Sequence, residues 1–177
     1  MMLKLSNDNL KNIDSVKKFF LAKKNKIKEQ FYYNHRGIKC CKLNSDLTDV
    51  LIKKIFQLTN SGKLANKDFL ICAVGGYGRK HLAPYSDIDL LFVYNQKIQE
   101  KELKRTIEQI LYPLWDLGMK VGHAVRTFKE VISLSKKEQI IKTSILDARL
   151  ILGCNEVFKN IITQYTKGVF LKRHESS

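Results

Sequence analysis

Two aspartates, Asp87 and Asp89, stand one residue apart at the head of an apolar run, I-D-L-L-F-V-Y (88–94). Upstream, another apolar run, F-L-I-C-A-V (69–74), ends in Gly75, Gly76 and Gly78. In an extended strand, side chains i and i+2 face the same way, so Asp87 and Asp89 project together while Ile88 and Leu90 point to the other face. Paired carboxylates repel and lose solvation unless a cation neutralises them. Mg²⁺ is the natural candidate, a hard cation that takes one or two carboxylates together with substrate phosphate oxygens. The glycines supply a second half. Without Cβ atoms their backbone N–H groups can approach a phosphate closely, and a helical turn following them adds a favourable dipole. Arg79 is a candidate for a charge-assisted contact to a triphosphate. Ser86 is a candidate phosphate contact or a cap for the aspartate strand.

Each half alone says little. G-G-Y-G-R is neither a Walker loop, since no G-K-[ST] follows, nor a G-x-G-x-x-G fingerprint. A lone D-x-D at a strand edge is commonly just solvated. The two joined, between two apolar runs, make the reading specific to metal-assisted phosphate chemistry.

The elements around them follow from periodicity. Residues 8–30 predict a helix, with Leu10, Ile13, Val16, Phe19, Phe20 and Ile27 mostly three or four apart and Asn7 or Asp8 as its cap. Residues 31–45 predict a connecting loop whose Tyr32, Tyr33, His35 and Arg36 could touch a base. Ser45 or Asp46 opens a second helix, ended by Asn60-Ser61-Gly62. The runs 69–74 and 88–94 are buried strands, being short and framed by turn residues. Helix 96–116 carries Pro113 in its last turn, where a kink is expected. Met119–Thr127 alternates as a third strand, with Lys120, Gly122, Ala124 and Arg126 on one face. Helices are then predicted over 128–134, 138–152 and 156–170. The pattern is a small α/β core inside a helical wrapping, divided as an N-terminal helical segment (1–61), the core (62–130) and a C-terminal helical segment (131–177).

Composition narrows the setting. The chain has 177 residues, enough for one domain, and a formal charge of +15. Lysine supplies most of the basic residues and is spread along the chain, which reads as a solvated surface rather than a nucleic-acid face. No apolar run approaches the roughly 20 residues that span a bilayer. With no secretory apolar core at the N-terminus, a cytoplasmic setting is expected. The cysteines Cys40, Cys41, Cys72 and Cys154 lack metal-ligand spacing and suit a reducing compartment, with Cys72 as a small buried hydrophobe.

The stretch G-G-Y-G-R-K-H-L-A-P-Y-S-D-I-D-L-L (75–91) resembles the signature of the DNA polymerase beta nucleotidyltransferase superfamily, a glycine pair followed by Asp-x-Asp. More closely, it is similar to the N-terminal domain of the bacterial PII-protein uridylyltransferase/uridylyl-removing enzymes. L-W-D-L-G-M-K-V-G-H-A-V-R-T (114–127) and T-S-I-L-D-A-R-L-I-L-G (143–153) support this, and the likeness spans roughly residues 45–160. The resemblance implies a small mixed sheet of the polymerase-beta type wrapped by helices, an α/β (α+β) fold. It also implies transfer of UMP from UTP to a tyrosine hydroxyl of the signalling protein PII. Gly75 and Gly76 would hold the phosphates, and Asp87 and Asp89 two Mg²⁺ ions for in-line displacement.

The sequence departs from that pattern. Superfamily sites usually carry a third carboxylate on the next core strand, but here that strand offers Lys120, Gly122, His123, Ala124 and Arg126. His123 is a candidate accessory base, or a strand histidine bonded to a neighbour. Asp116 and Asp147 read as helix-surface or packing acids. The family's full-length enzymes continue into a metal-dependent phosphohydrolase domain and ligand-sensing domains that do not fit in 177 residues, and no His precedes Asp anywhere, so the removing activity and glutamine sensing are expected to be absent. Three readings stay open: a uridylyltransferase-type enzyme, a folded remnant that binds nucleotide without turnover, and a basic nucleic-acid-binding module.

Overall fold

The computed structural model describes residues 10–34, 37–60, 64, 66–134 and 145–175. Ten elements are assigned in order: α1 (Ile13–Asn34), α2 (Gly37–Asn60), β1 (Phe69–Ala73), α3 (Gly75–Gly78), β2 (Ile88–Tyr94), α4 (Glu100–Asp116), β3 (Val121–Thr127), α5 (Phe128–Ser133), β4 (Arg149–Leu152) and α6 (Asn155–Glu175). The strands form one sheet in the order β3-β2-β1-β4. β1 pairs antiparallel with both β2 and β4, and β2 pairs parallel with β3. The parallel pair needs a crossover, which α4 supplies. This is the mixed sheet wrapped by helices that the resemblance implies.

Alternation in the strands makes two cores. Phe69, Ile71, Ala73, Ile88, Leu90 and Phe92 pack with buried residues of α1, α2 and α4. Leu70, Cys72, Leu91 and Val93 face the other way, against Val131 of α5 and Ile161, Tyr165 and Val169 of α6. A ring series, Phe56–Phe69–Phe92, runs from α2 across the first face at centroid spacings of 6.0 and 6.1 Å. Each such side chain contributes on the order of 2 kcal/mol by leaving water. Cys72 belongs to the second core, and burial pushes its thiol up to about 12.

Three expectations change. The expected caps of α1, Asn7 and Asp8, lie outside the described residues, and Asn12 does that work: its Oδ1 accepts the Ser15 N–H at 2.8 Å. The loop expected over 31–45 is largely helical, because α2 starts at Gly37 rather than at Ser45 or Asp46. Ser45 and Thr48 do not start a helix; their hydroxyls donate to the carbonyls of Cys41 (2.9 Å) and Asn44 (2.8 Å), one turn back within α2. Finally, the helix expected over 138–152 is replaced at its end by β4, while residues 138–144 lie outside the described set. Cross-strand pairing of Cys72 with Leu150 and Ala73 with Arg149 outweighs the helical spacing of Ile145, Ala148 and Leu152. A strand of the core sheet therefore comes from the segment read as a C-terminal helical unit.

One polar network ties these layers together. Arg149 Nη1 and Nη2 donate to the two carboxylate oxygens of Asp49 on α2, at 2.5 and 3.1 Å. Its Nε and Nη2 also reach the carbonyls of Gly78 and Tyr77, each at 3.3 Å. The buried Tyr77 hydroxyl donates to Asp49 Oδ1 at 2.7 Å, and the guanidinium stacks over the Tyr77 ring at 5.4 Å. Burial opposes the charge on Arg149, but the bonds and field of Asp49 outweigh it and raise the guanidinium's pKa. Burial first, and then the Asp49 carboxylate, drive the Tyr77 phenol well above its ordinary value. Gly78 is packed so tightly that an added Cβ would lie 2.2 Å from the Asp147 carbonyl oxygen and 3.0 Å from that of Ala73.

Removing one partner of a mostly buried pair strands the other charge, so Arg149→Met is expected to cost about 3 kcal/mol. Adding Asp49→Asn should recover part of that loss in urea denaturation, and a strictly additive double variant would contradict the coupling. Gly78→Ala meets rigid backbone on two sides and is expected to cost about 2 kcal/mol or more in the same measurement.

Candidate active site

The site is built where β1 hands the chain to α3 and β2 begins alongside it. The N–H of Val74 donates to the Asp89 carbonyl at 3.0 Å, which extends the β1–β2 ladder by one residue. Gly75 then takes φ +60, a left-handed conformation that only glycine adopts cheaply, and turns the chain into α3. The turn closes by Gly78 N–H to Val74 carbonyl (3.0 Å), Arg79 to Gly75 (3.2 Å) and His81 to Gly76 (2.8 Å). Arg149 grips the carbonyls at its far end, as described above. An added Cβ at Gly76 would find nothing nearer than the His81 carbonyl oxygen at 3.8 Å, so the outer side of this turn is open.

Asp89 is the second residue of β2, which is an inner strand of the sheet. Its neighbours Ile88 and Leu90 are buried at 2% and 1% exposure, yet Asp89 itself is exposed. The reason lies in the strands beside it. Asp89 is in register with Gly122 of β3, where an added Cβ would lie 2.7 Å from Asp89 Oδ1. On the other side, a Cβ at Gly75 would lie 3.3 Å from Asp89 Oδ2. The carboxylate thus occupies a slot between two glycines. Asp87 is exposed two residues earlier, just before the strand.

Among the described residues, no hydrogen bond or ion pair of at most 4.0 Å engages either carboxylate side chain. Nor does any group of three or more His, Cys, Asp or Glu gather as a metal cluster there. Both carboxylates are therefore hard oxygen donors open to solvent, and that of Asp89 lies in a slot that side chains at 75 or 122 would fill. That chemistry fits Mg²⁺ with its remaining positions taken by water or phosphate oxygens.

The other candidates take defined places. Arg79 directly follows α3, and its guanidinium is half-exposed and paired with Asp147. The Ser86 hydroxyl and N–H both donate to the Ala83 carbonyl, at 2.8 and 3.1 Å, closing the turn that leads into Asp87. His123 sits next to Gly122 on β3, hence on the opposite face from the slot. It lies edge-on to Phe92 at 6.3 Å and tilted against Trp115 at 6.5 Å. Lys120 is exposed, and its carbonyl accepts the N–H of Ile88 at 2.9 Å. Asp116 pairs with Lys17 on the surface at 2.9 Å. Tyr32 and Tyr33 are exposed at the end of α1, while His35 and Arg36 lie outside the described residues.

Sequence reasoning left out Gly122 and the Asp49–Tyr77–Arg149 network. A glycine inside a strand was the available signal for the first, since it often marks a close approach. Nothing in spacing could join residues from α2, α3 and β4.

Known proteins share much of this sequence. The family profile described as "Nucleotidyltransferase domain" matches residues 52–150, more than half of the chain. A bifunctional uridylyltransferase/uridylyl-removing enzyme of Phenylobacterium zucineum (strain HLK1) is 39% identical over 148 residues, covering 80% of this chain and 16% of the relative. The enzyme of the same description from Caulobacter vibrioides (strain NA1000 / CB15N) is 40% identical over 147 residues, again 80% and 16%. That of Vibrio cholerae serotype O1 (strain ATCC 39315 / El Tor Inaba N16961) is 35% identical over 134 residues, or 76% and 15%. The chain thus spans about a sixth of the length of these relatives. Matched from the middle of α2 to the start of β4, and carrying the glycine turn and the aspartate pair between them, the chain belongs to the nucleotidyltransferase domain family.

Proposed function

We propose that this domain transfers a nucleotidyl group, UMP from UTP, to a tyrosine hydroxyl on a PII-like signalling protein. The observation that carries the reading is the Asp89 carboxylate, exposed on an inner strand and cradled between Gly75 and Gly122. Among the described residues no hydrogen bond or ion pair engages its side chain, and the glycines on either side leave it room for a cation. The likeness to the uridylyltransferases supports the choice of the uridylyl group.

Asp87 and Asp89 would hold Mg²⁺, which when bound neutralises the phosphates and the charge that develops on the leaving pyrophosphate. The N–H groups of Gly75 and Gly76, at the start of α3, would donate to phosphate oxygens. Arg79 reaches the triphosphate by exchanging Asp147 for a phosphate; the exchange is inexpensive because the pair is partly solvated. Ser86 fixes the entry of Asp87 through the Ala83–Ser86 turn. The acceptor oxygen attacks the α-phosphorus, the bond to the pyrophosphate oxygen breaks, and the hydroxyl proton leaves to solvent or a neighbouring base. His123, on the far face, packs with Phe92 and Trp115 and is assigned no part in that proton's path.

A second reading, a remnant that binds nucleotide without turnover, draws on the absence of a third acid at the pair among the described residues. A single assay separates the two: the chain is incubated with labelled UTP, Mg²⁺ and PII protein, beside an Asp87→Ala/Asp89→Ala control. The enzyme reading expects label on PII, falling at least ~100-fold in the control. Mg²⁺-dependent UTP binding without label transfer favours the remnant, and absence of both sinks the metal site. Gly122→Ala provides an independent check. Its methyl group must displace the Asp89 carboxylate, so Mg²⁺-dependent UTP affinity should fall about tenfold, ~1.4 kcal/mol, in calorimetric titration. Because Gly122 is exposed on an edge strand, the melting temperature should stay near that of the parent.

A further inference from the structure

A cavity of about 330 Å³ lies away from the carboxylate slot, between α1, α2, the loop 82–86 and the turn that leads from α4 into β3. Its size is that of a small-molecule site. Ile88 forms part of its wall, and Ile88 points to the face of β2 opposite Asp89. A molecule held there would therefore not compete for the metal ligands.

The lining has a consistent chemistry. Phe20, Leu82, Ile88 and Met119 give apolar walls. Lys24 and Lys120 stand on it from α1 and from the residue before β3, and among the described residues no carboxylate lines it. Asn44 of α2 also lines it and is buried to 8% exposure. Among the described residues, the one side-chain hydrogen bond of Asn44 is a long donation to Cys40 Sγ at 3.7 Å, which leaves its amide oxygen unmatched. A buried polar oxygen without a donor is costly and calls for a partner. Tyr85 closes the outer wall with a positive φ of 68°, its hydroxyl bonded to Lys28 Nζ at 3.2 Å and its ring flanked by Lys24 and Lys28.

We propose that this cavity is a second ligand site, which takes a small organic carboxylate with an apolar body and a hydrogen-bond donor at its far end. The carboxylate meets Lys24 and Lys120, the body lies against Phe20 and Met119, and the donor satisfies the Asn44 amide oxygen. The assignment stands apart from the nucleotidyl-transfer reading, because it is read by binding alone.

The test is an NMR titration of the full ¹⁵N-labelled chain with 4-hydroxybenzoate, which carries all three features. Benzoate lacks the donor, and 4-hydroxybenzamide lacks the charge. Saturable shifts are expected at the amides of Asn44, Thr48, Ser86, Gly118 and Met119, with the benzamide at least tenfold weaker and benzoate also weaker. Lys120→Glu, at an exposed position, should weaken 4-hydroxybenzoate at least fivefold without unfolding the chain. Asp87→Ala/Asp89→Ala should leave that affinity unchanged. Shifts that do not saturate, shifts scattered over the lysine surface, or equal affinity for the acid and its amide would each overturn the proposal.

Discussion

The bidentate contact of Arg149 with Asp49 is the interaction on which the site depends. It joins α2 to β4 across the end of β1, and it holds the α3 turn by two of its carbonyls. Glycine-rich turns face a basic difficulty. Glycines let the backbone come close to a ligand, but they also make it floppy. Here the side facing away from the slot is fixed by a guanidinium, a buried tyrosine and a glycine with no room for a methyl group. Rigidity is supplied from behind, so the front can stay bare.

Asp89 shows the complementary solution. A carboxylate on an inner strand would ordinarily be forced against neighbouring side chains and desolvated. Gly75 and Gly122 remove those neighbours on both sides. The same two glycines thus keep the carboxylate exposed to solvent on an inner strand. Charge placement and backbone conformation are one design problem at this point of the sheet.

Much of this was legible before any coordinates. The runs 69–74 and 88–94 are strands because short apolar runs framed by turn residues have few other uses, and the glycine turn and aspartate pair follow from where those runs stop. The start of α2 was not legible, since Ser45 and Asp46 are read as helix starters unless one knows that the Ser45 hydroxyl turns back on the Cys41 carbonyl and the Asp46 carboxylate pairs with Lys80. β4 was hidden for a different reason. Its four residues look helical in isolation, and only the free edge of β1 makes them a strand. Gly122 was visible as a strand glycine, but its meaning required knowing which residue of β2 lies beside it.

The distances along the chain carry a consequence for how the domain comes into being. Arg149 is separated from Asp49 by 100 residues and from Gly78 by 71. Contacts of that span form only after long loops have closed, so they belong to the slow, late part of folding. The glycines and aspartates leave the ribosome before Arg149, close together and in order. The guanidinium that stiffens the turn arrives 71 residues after Gly78, with the strand that completes the sheet. Until then the chain holds the right atoms in the right sequence without a settled shape for the turn, and the glycine turn gains its rigid backing only with β4.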